Sequence, residues 1–287
     1  IYDGELLGLV PRENVRGTQF AEPADSYVEV EIDAEHVAVL STDYVFTCAA
    51  LPDLKVISRC GTGMDNVDRA YAAEKGIEVR NTPDGPTLAV AELTLGLILT
   101  LLRQVPHQDR ELRSGVWKKR MGNLLHGKNV GIVGFGKIGQ AVAHLLEPFG
   151  VNVGYHDPFA DVPGYTRLEL DDLMGWADVI TLHCPKTENG APLLDLGRLS
   201  LMRPGSIILN IARGGLIDEK ALLGLLTAGH LAGAALDCFT KEPYDGPLKE
   251  MDNVILTPHI GSYAKEARII METDTIKNLL DVLFPGA

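Results

Sequence analysis

The stretch NVGIVGFGKIG, Asn129–Gly139, contains the pattern that decides the fold. An apolar run leads directly into Gly134, Gly136 and Gly139, which are spaced as Gly-x-Gly-x-x-Gly. In this spacing the first glycine allows a tight turn, the second lets the backbone approach a pyrophosphate, and the third allows close packing of a helix on the strand. Phosphates are then held at the helix N-terminus. We therefore predict a strand, a phosphate-binding turn and an amphipathic helix over Gln140–Pro148.

The segment after this motif indicates which dinucleotide is bound. A second predicted strand, VNVGYH, ends at Asp157, which lies about 20 residues beyond the glycines, as the dinucleotide-binding fingerprint requires. A carboxylate here accepts hydrogen bonds from the adenosine ribose hydroxyls and repels a 2′-phosphate, so the sequence predicts NAD and not NADP. The predicted cofactor contacts in this part of the chain are Gly134, Gly136, Lys137, Ile138, Gly139 and Asp157.

Length, composition and charge restrict the class of protein. The chain has 287 residues, of which 46% are hydrophobic and 23% are charged, and this is typical of a soluble protein with two domains. Its formal net charge of −13 argues against a nucleic-acid or anionic-membrane partner. A small anionic substrate is compatible with that charge, because it needs only local positive charge.

Cysteine usage and the apolar segments predict a reduced, cytoplasmic protein. The four cysteines are scattered, without Cys-x-x-Cys or metal-ligand spacing, so we expect no metal site. The N-terminal segment IYDGELLGLV has no basic region, so we do not expect a signal peptide. The most apolar run, Leu88–Leu102, is short for a membrane span and predicts a buried helix over Thr87–Gln104.

Strands and helices alternate along most of the chain, which is typical of a parallel α/β sheet. Downstream of the glycine motif, predicted strands end at Cys184, Arg213, Asp237 and His259. The carboxyl ends of such strands line one crevice, so we predict that these residues surround one bound cofactor. Further cofactor contacts are predicted beside the same strand ends, at Pro185, Ile211, Ala212 and Gly261.

The position of the glycine motif in mid-chain predicts two domains. We expect two Rossmann-like doubly wound α/β domains, with an NAD-binding domain (102–261) inserted into a flavodoxin-like substrate-binding domain (1–101 and 262–287). A last helix over Tyr263–Leu283 is expected to return to the substrate domain, and the cleft between the domains to hold the substrate. Residues 1–36 carry few periodic signals.

Three polar residues suit chemistry on a small acid. Arg213, followed by two glycines that would let a ligand approach, can bind a carboxylate bidentately and polarise a carbonyl. His259 is the candidate general acid or base, and Glu242, if hydrogen-bonded to it, would raise its pKa and fix its tautomer. The alternatives are a surface ion pair for the arginine, a structural loop histidine and a solvated glutamate.

From about residue 54 to residue 268 the chain resembles the D-isomer-specific 2-hydroxyacid dehydrogenases. The matching segments include GTGMDNVD, NTPDGPTLAVAELT, GKNVGIVGFGKIGQAVA, NIARGGLIDEKAL and NVILTPHIGS. The resemblance implies that Arg213, Glu242 and His259 form the catalytic set and that Asp237 binds the nicotinamide carboxamide. It also implies a loop whose backbone amides hold the substrate carboxylate, formed by Arg59, Gly61, Thr62, Gly63 and Met64.

Within this family the chain is similar to the D-3-phosphoglycerate dehydrogenases, chiefly in RCGTGMDNVD and WKKRMG. This similarity implies an NAD-dependent enzyme of serine biosynthesis that oxidises 3-phosphoglycerate or a related D-2-hydroxy acid. The alternatives are a glyoxylate or hydroxypyruvate reductase and an NAD-sensing binding protein of the same fold. Arg59, Arg80 and Lys118–Arg120 are candidates for binding a substrate phosphate, or else belong to a solvated basic surface.

Two further expectations follow from the resemblance. A homodimer would be built on Gln108–Arg120. Because the chain ends after the returning helix, we expect a form without the C-terminal regulatory domain, and hence without serine feedback through it.

Overall fold

The computed structural model describes residues 15–16, 31–32, 37–40, 54–65 and 67–284. The chain divides into two compact units, one formed by Ile1–Pro86 with Ser262–Ala287 and the other by Thr87–Gly261. The domain boundary predicted after residue 101 differs from this division, which lies after Pro86. Most of the predicted segment 1–36 lies outside the described residues.

The described part of the smaller unit contains a two-stranded and a three-stranded sheet. Strands β1 (Val15–Arg16) and β2 (Glu31–Ile32) pair antiparallel. Strands β3 (Val37–Leu40), β4 (Val56–Arg59) and β5 (Glu78–Asn81) are parallel, in the order β3-β4-β5. Helix α1 (Arg69–Lys75) joins β4 to β5, and Gly76 ends it with a φ of 69°. The flavodoxin-like fold of this unit stays a prediction.

Helix α2 (Asp84–Arg103) explains where the larger unit begins. Among the described residues it is the one helix that is long and apolar enough to cross a membrane. Its side chains Ala91 and Ile98 are fully buried in one cluster with Val130 and Ile132 of the larger unit's sheet. The prediction of a buried core helix is therefore confirmed, and this packing holds the helix to the larger unit.

A short second helix, α3 (Val105–Arg113), follows α2. A single residue, Gln104, separates it from α2 and has a left-handed φ of 52°. Pro106 lies in the first turn of α3. A backbone N–H has no partner within the helix at this position, so its absence in proline costs no hydrogen bond. Helix α2 therefore ends at Arg103, before this proline, and Pro106 belongs to the start of α3.

The larger unit is built on a seven-stranded parallel sheet. Its strands lie in the order β12-β11-β10-β9-β6-β7-β8. Strands β7 and β8 are added on one side of β6 and β9 to β12 on the other, so the strand order reverses between β6 and β9. This is the order of a doubly wound sheet, in which ligands bind at the carboxyl ends of the strands near that reversal. The predicted α/β fold is therefore confirmed for this unit. The strands are β6 (Asn129–Val133), β7 (Asn152–His156), β8 (Thr166–Arg167), β9 (Val179–Leu182), β10 (Ile207–Asn210), β11 (Gly233–Leu236) and β12 (Val254–Leu256).

Helices of the larger unit alternate with these strands. Asp218 accepts hydrogen bonds from the Lys220 and Ala221 amides, each at 3.0 Å, and so caps the helix over Glu219–Thr227. The C-cap is Ala228, and Gly229 follows it with a φ of 70°. The helices are α4 (Lys137–Leu146), α5 (Leu170–Trp176), α6 (Leu196–Leu201) and α7 (Glu219–Thr227).

The last helix, α8 (Lys265–Leu283), belongs to the smaller unit. The Ser58 hydroxyl at the end of β4 donates to the Thr275 carbonyl at 3.1 Å. Asn278 donates to the Asn81 carbonyl at 3.2 Å. These bonds tie α8 to β4 and β5 across more than 190 residues of sequence.

Candidate active site

The turn between β6 and α4 depends on its glycines for three different reasons. Gly134 has a φ of 92°, and a Cβ there would collide with the backbone of His183 and Cys184. A Cβ on Gly139 would collide with the Gly134 carbonyl, so this glycine permits the close helix–strand contact. Gly136 is the N-cap of α4, and a Cβ there would meet no atom within 4 Å. Backbone open to a ligand at a helix N-terminus fits the pyrophosphate of a dinucleotide.

Asp157, at the end of β7, is fixed by backbone amides of this turn and of its own loop. Its Oδ2 accepts a hydrogen bond from the Phe135 amide at 2.7 Å. Its Oδ1 accepts from the amides of Phe159 and Ala160 at 2.8 and 3.0 Å. Burial opposes the charge, but these donors outweigh it and lower the pKa of Asp157. The ionised carboxylate is therefore held beside the glycine turn, as binding of a ribose requires.

The ends of β9 and β10 lie close to the end of β7. The charges of Asp157 and Arg213 both act on the Cys184 thiol, whose pKa burial raises to about 11. This places three of the predicted strand-end residues in one neighbourhood. The other predicted cofactor contacts here differ in exposure: Ile211 and Ala212 are buried, Ile138 is half-buried, and Lys137 and Pro185 are exposed.

His259 and Glu242 form a hydrogen-bonded pair. His259 Nδ1 lies 3.1 Å from Glu242 Oε2, and Glu242 Oε1 accepts from the Phe239 amide at 2.8 Å. The two side chains are 32% and 26% exposed, so a ligand can reach the pair. Contacts to Cys238 and to the Glu242 carboxylate raise the pKa of His259 to about 11. The protonated form of the imidazole is therefore favoured, and its Nδ1 is the nitrogen that the glutamate holds.

The backbone of His259 is strained and is held by Asp237. His259 has a left-handed φ of 52°, which is uncommon for a residue with a side chain. Asp237 is buried, and its oxygens accept from the Thr257 hydroxyl at 2.6 Å and from the amides of Ile260 and Gly261, each at 2.8 Å. This carboxylate therefore fixes the loop on both sides of the histidine. Its contact to nicotinamide stays a prediction.

Arg213 lies three residues after the end of β10, the strand next to β11. Its Nη1 donates to the Ala212 carbonyl at 2.7 Å, and Asn210 Nδ2 donates to the Arg213 carbonyl at 2.8 Å. Two glycines follow Arg213, and their predicted role in letting a ligand approach stays a prediction; Gly214 also has a structural role. A Cβ on Gly214 would collide with the Phe239 backbone, so this glycine lets the arginine loop pack against the segment that leads to Glu242.

In the smaller unit, the loop after β4 uses one of its predicted substrate-binding amides internally. The buried Gly61 amide donates to the Thr82 hydroxyl at 2.7 Å, and the Thr82 amide donates to the Gly61 carbonyl at 3.1 Å. Arg59 contacts the Cys60 carbonyl. Gly61 is thus part of the loop's structure, and the carboxylate-binding role of the loop, formed by Arg59, Gly61, Thr62, Gly63 and Met64, stays a prediction.

Two of the arginines predicted to bind a substrate phosphate are paired with carboxylates. Arg80 pairs with Glu78 at 2.7 Å and with Asp281 at 3.3 Å. Arg120 donates to both carboxylate oxygens of Glu111, at 2.7 and 2.6 Å. These ion pairs weaken the prediction that Arg80 and Arg120 bind a substrate phosphate. For the exposed Lys118 and Lys119, phosphate binding stays a prediction.

Cys238 lies in the site, although no role is predicted for it from the sequence. It is buried, and one ligand atom each of Cys238, Glu242 and His259 lie within 4.8 Å of one another. Its position directly after Asp237, at the end of β11, was the available signal. Which side chain of this segment faces the histidine depends on the strand register, which the spacing alone does not give.

Comparison with known proteins agrees with this geometry. Residues 95–261 match the family described as D-isomer specific 2-hydroxyacid dehydrogenase, NAD binding domain. The chain is 41% identical over 257 residues to a D-3-phosphoglycerate dehydrogenase of Mycobacterium tuberculosis, which covers 87% of this chain and 49% of that protein. It is 40% identical over 288 residues to a D-3-phosphoglycerate dehydrogenase of Synechocystis, covering 97% of this chain and 52% of that protein.

Solved structures share the fold. An NADPH-dependent glyoxylate/hydroxypyruvate reductase from Sinorhizobium meliloti, in complex with NADP and malonate, has a TM-score of 0.82 at 32% identity. The match covers 88% of this chain and 82% of that one. The chain spans about half the length of the curated relatives it matches.

Proposed function

Since the chain belongs to the D-isomer-specific 2-hydroxyacid dehydrogenases, we propose that it is an NAD-dependent oxidoreductase that interconverts a D-2-hydroxy acid and its 2-keto acid. The observation that carries this proposal is the His259–Glu242 pair, 3.1 Å apart, in the unit that holds the glycine turn. Asp157, ionised beside that turn, supports NAD as the cofactor. Arg213, after the end of β10, has a guanidinium group that can donate two parallel hydrogen bonds to a carboxylate.

In the proposed reaction each residue of the set has one task. The hydride acceptor in oxidation is bound NAD. Arg213 binds the substrate carboxylate and polarises the adjacent carbon–oxygen bond. In its neutral form His259 accepts the hydroxyl proton in oxidation, and as the imidazolium it returns that proton to the carbonyl oxygen in reduction. It uses Nε2 for both steps, because Nδ1 faces Glu242. Glu242 holds the ring in this orientation and stabilises the imidazolium.

We propose 3-phosphoglycerate and 3-phosphohydroxypyruvate as the substrate pair. The two relatives named D-3-phosphoglycerate dehydrogenase, at 40% and 41% identity, support this choice, and the exposed Lys118 and Lys119 offer positive charge for a phosphate. Glyoxylate or hydroxypyruvate is the second candidate, because a reductase of that type shares the fold with a TM-score of 0.82.

A nicotinamide-absorbance assay with a panel of 2-hydroxy and 2-keto acids tests the proposal. We expect turnover with NAD exceeding that with NADP, and the highest kcat/KM with the phosphorylated pair. Turnover of unphosphorylated keto acids alone, unchanged in a Lys118→Ala, Lys119→Ala double variant, would select the reductase. NAD binding without turnover of any panel member would contradict enzymatic function and favour an NAD-sensing protein.

The pH dependence of the reaction should depend on Glu242. Reduction needs protonated His259, so its kcat/KM falls as pH rises through the histidine pKa, which Cys238 and Glu242 raise. In Glu242→Gln the amide can still accept from Phe239, but the negative charge is gone. We expect the midpoint of this fall to move down by about 1–3 pH units, and the matching rise in the oxidation profile to move down with it.

Glu219→Gln provides the matched control for this measurement. Glu219 accepts from the Thr240 amide at 2.7 Å, so it braces the same loop without contributing the His259 contact. Its profile should keep the wild-type midpoint. An unchanged midpoint in Glu242→Gln would show that the glutamate does not set the histidine pKa.

We also propose a homodimer formed through the segment around α3 and residues 114–124. Trp117 and Met121 are 83% and 92% exposed, which is unusual for side chains of this size unless a partner covers them. We expect a Trp117→Glu, Met121→Glu double variant to sediment as a monomer where the wild type sediments as a dimer. Phe159→Glu, which changes an equally exposed side chain elsewhere, should remain dimeric. A monomeric wild type would rule the dimer out.

A further inference from the structure

We propose that Cys238, Glu242 and His259 form a binding site for a thiophilic divalent cation, with Zn²⁺ as the ion of best fit, and that the bound ion inhibits the enzyme. One ligand atom from each residue lies within 4.8 Å of the other two. Zinc requires ligand atoms that close around one point, and modest side-chain movements bring atoms at this separation to its coordination distances of about 2.0–2.3 Å.

The donor set selects the metal. A thiol, an imidazole and a carboxylate supply sulfur, nitrogen and oxygen, which are the three ligand types that zinc takes in proteins. Hard cations such as Mg²⁺ and Ca²⁺ take oxygen ligands, and only Glu242 offers one here. The cluster therefore favours Zn²⁺, or its spectroscopic substitute Co²⁺, over Mg²⁺.

Burial shapes the site so that one side is closed and the other is open. Cys238 is 2% exposed and forms the inner wall, where its Sγ also lies 3.5 Å from the Ala212 carbonyl. Glu242 and His259 are partly exposed, so an ion can enter from their side. Three protein ligands with a fourth position open to water is an arrangement that zinc adopts in catalytic sites, whereas structural sites are closed by four protein ligands.

Neighbouring contacts position the ligands in advance. Glu242 is held by the Phe239 amide at 2.8 Å, and the loop of His259 is held by Asp237 through the amides of Ile260 and Gly261. Such outer contacts orient metal ligands and raise affinity. The ion needs little reorganisation of the backbone to bind.

Inhibition, which rests on the proposed function, follows from the shared residues. A cation bound to His259 and Glu242 occupies the two groups that exchange and stabilise the proton. The reaction then loses its acid and base while the glycine turn, and hence NAD binding, is unaffected. Zinc should therefore lower kcat without raising the dissociation constant for NAD.

Calorimetric titration of the chelator-treated full chain with Zn²⁺ tests the site. We expect one equivalent to bind, and Cys238→Val to weaken binding at least tenfold, since even outer contacts of metal ligands contribute about 10–100-fold. Cys184→Ser removes a thiol outside the cluster and should leave the affinity unchanged. Equal Zn²⁺ affinity in the wild type and in Cys238→Val would overturn the proposal.

Cobalt gives a readout that does not depend on comparing affinities. Co²⁺ added to the wild type should produce an ultraviolet thiolate-to-metal charge-transfer band, and this band should be absent in both Cys238→Val and Cys238→Ser. No band in the wild type would also overturn the proposal.

Activity measured with and without chelator separates this inference from the proposed function. Turnover in chelator that persists undiminished on adding Zn²⁺ would remove the inhibitory role while the enzyme assignment stands. Zinc binding that depends on Cys238, in a protein without turnover in chelator, would leave the metal site in place and overturn the dehydrogenase.

Discussion

Replacing His259 with asparagine is expected to lower kcat in both directions by about 10²–10⁴-fold, the usual contribution of a general acid or base. His259 is the group whose Nδ1 is held at 3.1 Å by Glu242 and whose pKa is raised to about 11, so it can deliver a proton at neutral pH. Asparagine keeps a hydrogen-bonding group of similar reach but has no group that ionises near neutral pH. Binding of NAD, which we assign to the glycine turn, should not change.

Steady-state kinetics in both directions, with NAD affinity from fluorescence titration, measure this effect. His144→Asn is the matched control, because His144 also lies near a glutamate, 3.5 Å from Glu147, but on an exposed helix surface. It should retain wild-type turnover. Wild-type kcat in His259→Asn would remove the histidine from the mechanism.

The glycine motif and the strand ends were readable from the sequence because backbone constraints act locally. The turn at Gly134 has a left-handed φ that favours glycine, and Asp218 caps a helix that begins at the next residue. Both roles depend only on residues close in the sequence. Because the strands of the sheet are parallel, Asp157 and Arg213 then lie at the same edge, where the strands have their carboxyl ends.

Contacts between segments that are distant in the sequence could not be predicted from local patterns. The glycine after Arg213 suits ligand approach by sequence, yet Gly214 is required because the Phe239 backbone passes close to it. Likewise the pairing of Arg120 with Glu111 depends on how residues 114–120 fold back on α3, which no periodic pattern encodes. Cys238 faces His259 because of the β11–β12 register, and that register is a property of the assembled sheet.

Replacing Arg213 with glutamine should lower kcat/KM for the keto acid at least about 100-fold. Losing one partner of a hydrogen-bonded charge pair costs about 3 kcal/mol or more, and about 1.4 kcal/mol corresponds to a tenfold change. Glutamine has a similar hydrogen-bonding reach but lacks the positive charge and the paired N–H donors of the guanidinium group. Binding of the substrate carboxylate should therefore weaken, while binding of NAD should not change. Arg213→Lys restores the charge alone, and we expect it to recover only part of the rate, because bidentate geometry is lost.

Arg203→Gln is the control for this comparison. Arg203 pairs with Asp178 at 3.0 Å on the surface of the same unit, so its loss removes an equal charge and an ion pair away from the strand ends. Its kcat/KM should stay within about twofold of wild type, since exposed pairs contribute little. If Arg213→Gln resembled Arg203→Gln, the arginine after β10 would be a structural residue, and the substrate carboxylate would have to be held by other groups.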